Sequence, residues 1–217
     1  MSPPSVAAPG HIVLVGMMGV GKTTVGRWLA QKLQRPFVDS DDLVEARTGS
    51  TVRELFLSSG ESGFRAEESA ALADALAGTA PVVVAAAGGT VLDPANRDRL
   101  RRASADGGIV VWLRADASVL AGRVVAGDHR PLLSDDPFAT LTALGEAREP
   151  LYREVADVTI DEAGADGPLS PAEVSALVLA AVAPGVVHAL RTRRQAQADD
   201  QADDQADGGA DDSQAGS

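Results

Sequence analysis

The sequence predicts an α/β fold: a five-stranded parallel sheet with helices on both faces. Three features lead to this class. Five short apolar runs alternate with segments of helical period. The clearest of these runs are apolar throughout rather than every second residue, as expected of strands buried on both faces. The first run passes through a glycine-rich turn directly into a helix. A length of 217 residues, 45% of them apolar, suits one packed domain.

Residues 11–15 form the first strand, closed by Gly16. Val25, Trp28, Leu29 and Leu33 recur at helical spacing and predict a helix over 22–33. A second strand follows at 36–38. Two short helices, 41–48 and 51–58, are broken by Gly49 and Gly60, and a longer helix over 61–77 ends at Gly78. Residues 81–86 are a third strand, ended by Gly88 and Gly89. Asp93-Pro94 places a capping acid before a proline at the first helical position, so a helix runs to about 103. The fourth strand is 109–113, and Asp116 caps a helix to about 126. Residues 127–137 are polar and turn-rich, reading as a mobile loop. A helix over 138–155 and a fifth strand at 158–160 come next. Ser170-Pro171-Ala172-Glu173 is a capping box that opens a helix to about 183.

The ends differ from the body. Pro3, Pro4, Pro9 and Gly10 mark residues 1–10 as a loose arm. The expected globular unit is 11–190, and 191–217 is an acidic tail rich in Gln, Ala and Asp. From 195 on, its repeat has no apolar period and is expected to be disordered. The net charge of −12 is concentrated there: seven of the 31 acids lie in 195–217 with no basic residue, leaving 24 acids against 19 bases, a net of −5, for the rest. With no basic run, nucleic acid is not an expected partner. No stretch reaches the roughly 18–20 apolar residues that span a bilayer, so no membrane partner is expected. Cysteine is absent, which excludes disulfides and thiolate chemistry and fits a reducing compartment. The start carries neither a basic region nor a long apolar run, so no secretory signal is expected. A cytoplasmic monomer is the expectation.

The sharpest signal is Gly16-Met17-Met18-Gly19-Val20-Gly21-Lys22-Thr23, which fits G-x-x-x-x-G-K-[ST] between a strand and a helix. Its glycines let backbone N–H groups turn inward as an anion nest, and the helix N-terminus adds its dipole. Gly19, Val20, Gly21, Lys22, Thr23 and Thr24 form the expected nucleotide-binding set, with Lys22 reaching the β- and γ-phosphates and Thr23 placed for Mg²⁺. Lys22 is one of only two lysines in the chain. The single asparagine, Asn96, precedes Arg97, so the Asn-Lys-x-Asp signature of guanine-specific GTPases is missing.

The acceptor side is less defined. Asp39 and Asp41 end the second strand, where residues two apart share a face and would point together into the ligand crevice. One would hold a metal water and the other a substrate hydroxyl; the competing reading is that both acids cap the following helix. Arg65 stands three residues before Glu68, either as an intrahelical ion pair or as a guanidinium held for a substrate carboxylate. Gly88-Gly89 is an ordinary turn or a place of close backbone approach at the carboxyl end of a strand. Arg130, in the polar loop over 127–137, either covers the phosphates from a lid or is a surface residue, and Arg148 poses the same choice.

Taken in order, Gly16 to Thr23, Phe37-x-Asp39-x-Asp41, Gly63-Phe64-Arg65-x-x-Glu68, Gly88-Gly89, Arg130-Pro131-Leu132-Leu133 and Arg148-x-Pro150-Leu151-Tyr152 resemble the shikimate kinases over about 10–183. The resemblance implies a P-loop kinase fold of the nucleoside monophosphate kinase type, with a substrate-binding segment at about 40–70 and a lid at about 123–137. It implies transfer of the ATP γ-phosphoryl group to the 3-hydroxyl of shikimate with Mg²⁺. On that likeness Lys22, Asp41 and Arg130 are catalytic, and Arg123 and Arg130 join the phosphate loop in binding ATP. Asp41, Arg65, Gly88 and Arg148 bind shikimate, and Thr23 and Asp39 serve the metal, Asp39 through water. Two departures stand out. Ala87 occupies a position where the family has glycine, so a backbone conformation that alanine accepts is expected there. The loop 161–167 lacks the arginine that many relatives place near adenine.

Overall fold

The protein is described by a computed structural model, which covers residues 10–125, 136–164 and 167–183. Five strands form one parallel sheet in the order β2-β3-β1-β4-β5: β1 Ile12–Val15, β2 Phe37–Asp39, β3 Val83–Ala85, β4 Ile109–Arg114 and β5 Val158–Asp161. β1, β3 and β4 are buried almost without interruption, which is why they read as unbroken apolar runs. The edge strand β5 alternates instead. After β1 the chain builds β2 and β3 on one side, then crosses to build β4 and β5 on the other. The carboxyl end of β1 is therefore the switch point at which open α/β sheets form their ligand crevice.

Among the described residues seven helices connect and cover the sheet: α1 Lys22–Leu33, α2 Ser40–Thr48, α3 Val52–Leu76, α4 Pro94–Ala105, α5 Ala117–Val125, α6 Pro137–Val155 and α7 Pro171–Ala181. The caps expected at Asp93 and Ser170 are in place. Asp93 accepts the Ala95 N–H, and Ser170 and Glu173 close a reciprocal box. Gly60 takes a positive-φ, non-helical conformation (φ 67°, ψ −177°) and kinks α3 at the place where the sequence predicts a break between two helices. Two elements were not anticipated: a 3-10 turn over Thr90–Leu92 and a short hairpin of β6 Ala163–Gly164 with β7 Gly167–Pro168. Both are too short to carry a periodic pattern.

The main core gathers both faces of the sheet. A second, smaller cluster of Val44, Leu55, Phe64 and Ala71 lies under α2 and α3, so the expected substrate segment has its own packing. Phe56 and Phe64 meet edge to face there, with centroids 5.9 Å apart. Among the described residues no helix is long and apolar enough to cross a membrane.

Candidate active site

The phosphate loop leaves β1 and enters α1 through three glycines with positive φ: Gly16 (142°), Gly19 (80°) and Gly21 (92°). Gly16 is doubly constrained, because a β-carbon there would overlap the carbonyl oxygen of Leu113 on β4. The Lys22 ammonium folds back over the loop and donates to the carbonyls of Gly16 (2.8 Å) and Met17 (2.9 Å). The amino end of α1, with Lys22, Thr23 and Thr24, thus faces the crevice as the motif requires.

Register sets the next residue. Asp39 and Leu14 both pair with Ala85, so β1, β2 and β3 end side by side. Asp39 accepts the Thr23 hydroxyl on Oδ2 (2.7 Å) and the Asp41 N–H on Oδ1 (3.1 Å). Asp39 caps α2 and, through Thr23, also meets the phosphate loop. The expectation of a shared strand face with Asp41 does not hold. The chain leaves the extended conformation at Ser40, and Asp41 sits in the first turn of α2. Buried Ser40 accepts the Ala87 N–H (2.7 Å), tying the end of β2 to the end of β3. Ala87 is not among the positive-φ residues, so alanine is accommodated as expected.

The hydroxyl and carboxylate pair at Thr23 and Asp39 fits Mg²⁺, which binds through one or two protein oxygens and takes the rest of its ligands from phosphates and water. No cluster of three or more metal-ligating side chains occurs among the described residues.

The acceptor side assembles around Gly88-Gly89. A β-carbon on Gly88 would touch the phosphate loop at Gly16 and Met18, so this turn packs against the nucleotide site. Arg65, on α3, lies so close to Gly89 that a β-carbon there would overlap its guanidinium. From the other side, Arg148 Nη1 donates to the Gly88 carbonyl (3.2 Å), and the Tyr152 hydroxyl donates to the same oxygen (2.7 Å). Arg148 is only 3% exposed, so it is no surface arginine. Arg65 also pairs with Glu68 (2.5 Å) and Glu61 (3.2 Å) and stands over the Phe64 ring. The ion pair and the crevice placement are both real.

Charge is concentrated in this cluster. Burial pushes the Glu68 carboxyl above the usual carboxylate range, with Asp41 adding to the rise and Arg65 and Arg148 opposing it. For Arg65, burial works against the charge but Glu68 and Glu61 outweigh it, so the guanidinium stays firmly protonated. Burial is again the first cause at Tyr152, pushed up to about 12, and the phenol is a neutral donor at physiological pH. Tyr152 also stacks on Trp112, centroids 5.7 Å apart. Its part as anchor of the Gly88 carbonyl was not read from sequence, although its i,i+4 spacing from Arg148 puts both on one helix face.

Arg123, on α5, lies on the opposite flank of the phosphate loop and contacts the Gly19 carbonyl (3.4 Å) and Glu162 (2.7 Å). Arg130 and residues 126–135 of the expected lid lie outside the described residues, as do the arm before Gly10 and the acidic tail.

Residues 18–182 match the sequence model of the shikimate kinase family. The chain is 51% identical over 157 residues to the shikimate kinase of Halorhodospira halophila, covering 72% of this chain and 86% of that protein. It is 50% identical over 153 residues to that of Symbiobacterium thermophilum, covering 69% and 85%. Among solved structures, the shikimate kinase of Acinetobacter baumannii in complex with shikimate superposes with a TM-score of 0.71 at 37% identity, over 80% of this chain and 92% of that one. A gluconokinase from Sinorhizobium meliloti gives a TM-score of 0.60 at 26% identity, over 85% and 97%. A phosphate loop, a crevice walled by two guanidinium groups and these likenesses agree: the chain belongs to the shikimate kinase family, the ATP- and Mg²⁺-dependent small-molecule kinases.

Proposed function

We infer that this protein transfers the γ-phosphoryl group of ATP to the 3-hydroxyl of shikimate, giving shikimate 3-phosphate and ADP. The observation that carries the reading is the convergence of Arg65 and Arg148 on Gly88-Gly89, next to the phosphate loop. Shikimate is a small triol with one carboxylate. Fixed cations for the carboxylate, a nearby acid for a hydroxyl and a glycine edge suit it.

In this reading Arg65 and Arg148 hold the carboxylate and the Gly88 N–H approaches the ring. Asp41 accepts the proton of the attacking hydroxyl as its oxygen bonds to the γ-phosphorus and the bond to the bridging oxygen of ADP breaks. Lys22 neutralises charge building on the transferred group. Thr23 and, through water, Asp39 hold Mg²⁺, which supplies charge neutralisation at the phosphates when bound. Gly19, Val20, Gly21 and Thr24 complete the phosphate cradle, Arg123 serves the nucleotide side, and Arg130 covers the phosphates from the lid.

The gluconokinase likeness makes other polyols the competing acceptors. A panel of shikimate, gluconate and related polyols with coupled ADP detection separates them. Turnover with shikimate alone is expected, and turnover with gluconate but not shikimate overturns the assignment. We further propose that the protein works as a cytoplasmic monomer that binds no nucleic acid. Residues 11–190 would be the catalytic unit, 1–10 an arm and 191–217 a passive tail. Deleting 195–217 should leave turnover intact, and a large loss would give the tail a role.

A further inference from the structure

We propose that Glu162 is a positioning residue for nucleotide binding, holding Arg123 against the phosphate loop from the β5 side of the sheet. The proposal rests on the reading above that this loop binds ATP.

Sheet order separates two flanks of the site. The acceptor groups Arg65 and Gly88-Gly89 lie toward β3, while Arg123 and Glu162 lie toward β4 and β5, across the loop that follows β1. What Arg123 meets is therefore the nucleotide, not the acceptor. Helix α5 packs directly on the loop: a β-carbon on Gly19 would press on Val124 and approach the Leu120 carbonyl. This packing brings the Arg123 guanidinium to the Gly19 carbonyl.

Glu162 is built into this place. Asp161, one residue earlier, turns outward to Arg114 (3.0 Å) and accepts the Ala163 N–H, so the chain bends as it leaves β5. Both backbone groups of Glu162 are engaged: its N–H donates to Arg114 O and its carbonyl accepts from Leu169, each at 2.8 Å. Its side chain turns inward and is left 3% exposed, against 34% for the Arg123 side chain. A carboxylate with so little access to water favours a charged partner. Burial pushes its carboxyl up, and Arg123 pulls the other way. One nitrogen of Arg123, Nη1, serves both Glu162 and Gly19, so the rest of the planar guanidinium is held at the loop's rim in one orientation. The loop after β5, which lacks an arginine of its own, thus acts on the nucleotide side through an acid.

The test uses the full chain and measures Mg·ADP binding by calorimetry, with KM and kcat for both substrates, in Glu162→Gln, Glu162→Ala, Arg123→Ala and the Glu162→Ala/Arg123→Ala double variant. Glu162→Gln keeps the shape and removes the charge. It is expected to weaken ADP and raise the ATP KM about threefold to tenfold, with kcat and the shikimate KM within about twofold. Glu162→Ala should weaken ADP about tenfold or more, and the double variant should bind no more weakly than Arg123→Ala. If Glu162→Gln and any folded Glu162→Ala bind ADP as the parent does and lose only thermal stability, Glu162 merely clips the hairpin to α5 and the proposal is wrong. Additive losses in the double variant overturn it as well. If the parent protein binds ADP but does not phosphorylate shikimate, the acceptor assignment falls while the ADP series still decides the role of Glu162.

Discussion

The guanidinium of Arg65 lies across the backbone of Gly89, in the space a β-carbon would need. Gly89 itself has ordinary backbone angles (φ −89°, ψ −10°) that alanine adopts without strain. Gly89→Ala should therefore leave the fold intact and push Arg65 aside. We expect the shikimate KM to rise about tenfold with the ATP KM unchanged, on a scale set by loss of one charge-assisted contact. An unchanged shikimate KM would separate Arg65 from the acceptor.

Arg65 does two things that can be taken apart. Arg65→Ala strands Glu68, 3% exposed, so it should lower the melting temperature as well as weaken shikimate. Arg65→Ala with Glu68→Gln should recover stability without recovering affinity. The shikimate KM should stay about tenfold to a hundredfold high in both, far beyond any change for ATP. Thermal melts beside steady-state kinetics check the pair, and affinity that returns with stability would mean Arg65 acts only through the fold.

Lys22→Ala should lower kcat on the order of 10²-fold or more if the ammonium held over the loop neutralises charge during transfer, as proposed. Circular dichroism and melting should stay close to the parent. Near-normal turnover would remove Lys22 from the mechanism.

Asp39 caps α2 and accepts the Thr23 hydroxyl, and two substitutions distinguish the cap from the metal duty proposed for it. Asparagine is as good a cap as aspartate, so Asp39→Asn should keep stability and raise the Mg²⁺ concentration needed for half-maximal rate. Asp39→Ala should add a loss of about 1 kcal/mol in unfolding free energy. Magnesium titrations and denaturant melts read the two effects independently.

Tyr152 makes stability depend on pH in the alkaline range. Its phenol rises from 10.0 to about 12 in the folded protein, so the unfolded chain gives up its proton first. Between those values the folded state binds more protons, and stability falls as pH rises. By pH 11 the loss is about 1.4 kcal/mol. Tyr152→Phe should lack this slope while losing about 1 kcal/mol at neutral pH from the bond to the Gly88 carbonyl. Urea melts of both proteins at pH 8 and 11 test it, and parallel slopes would contradict the burial of the phenol.

Local chemistry made much of this protein readable from the chain. The phosphate loop needs glycines where φ is positive and a lysine where the helix begins, and these are neighbours in sequence. The five strands, the helices between them and the caps at Asp93 and Ser170 follow from burial period and orphan backbone groups, which act over a few residues. Asp39 and Asp41 show where local reading stops. A strand pattern placed them on one face, but a cap at Asp39 starts the helix one residue later and puts Asp41 in the first turn of α2, where its charge acts on Glu68.

The tertiary structure alone decided which side chains meet. Arg148 reaches Gly88 across 60 residues of sequence, Tyr152 across 64, and Arg123 reaches Glu162 across 39. A parallel sheet joins its strands through crossovers, so the residues at one end of the crevice come from separate segments brought level by strand order and register. No local propensity encodes that Gly89 is small because Arg65 must lie across it, or that a carboxylate after β5 turns inward to an arginine on α5. Those choices rest on packing and on the cost of burying an unpaired charge, which exist only once the chain has closed on itself.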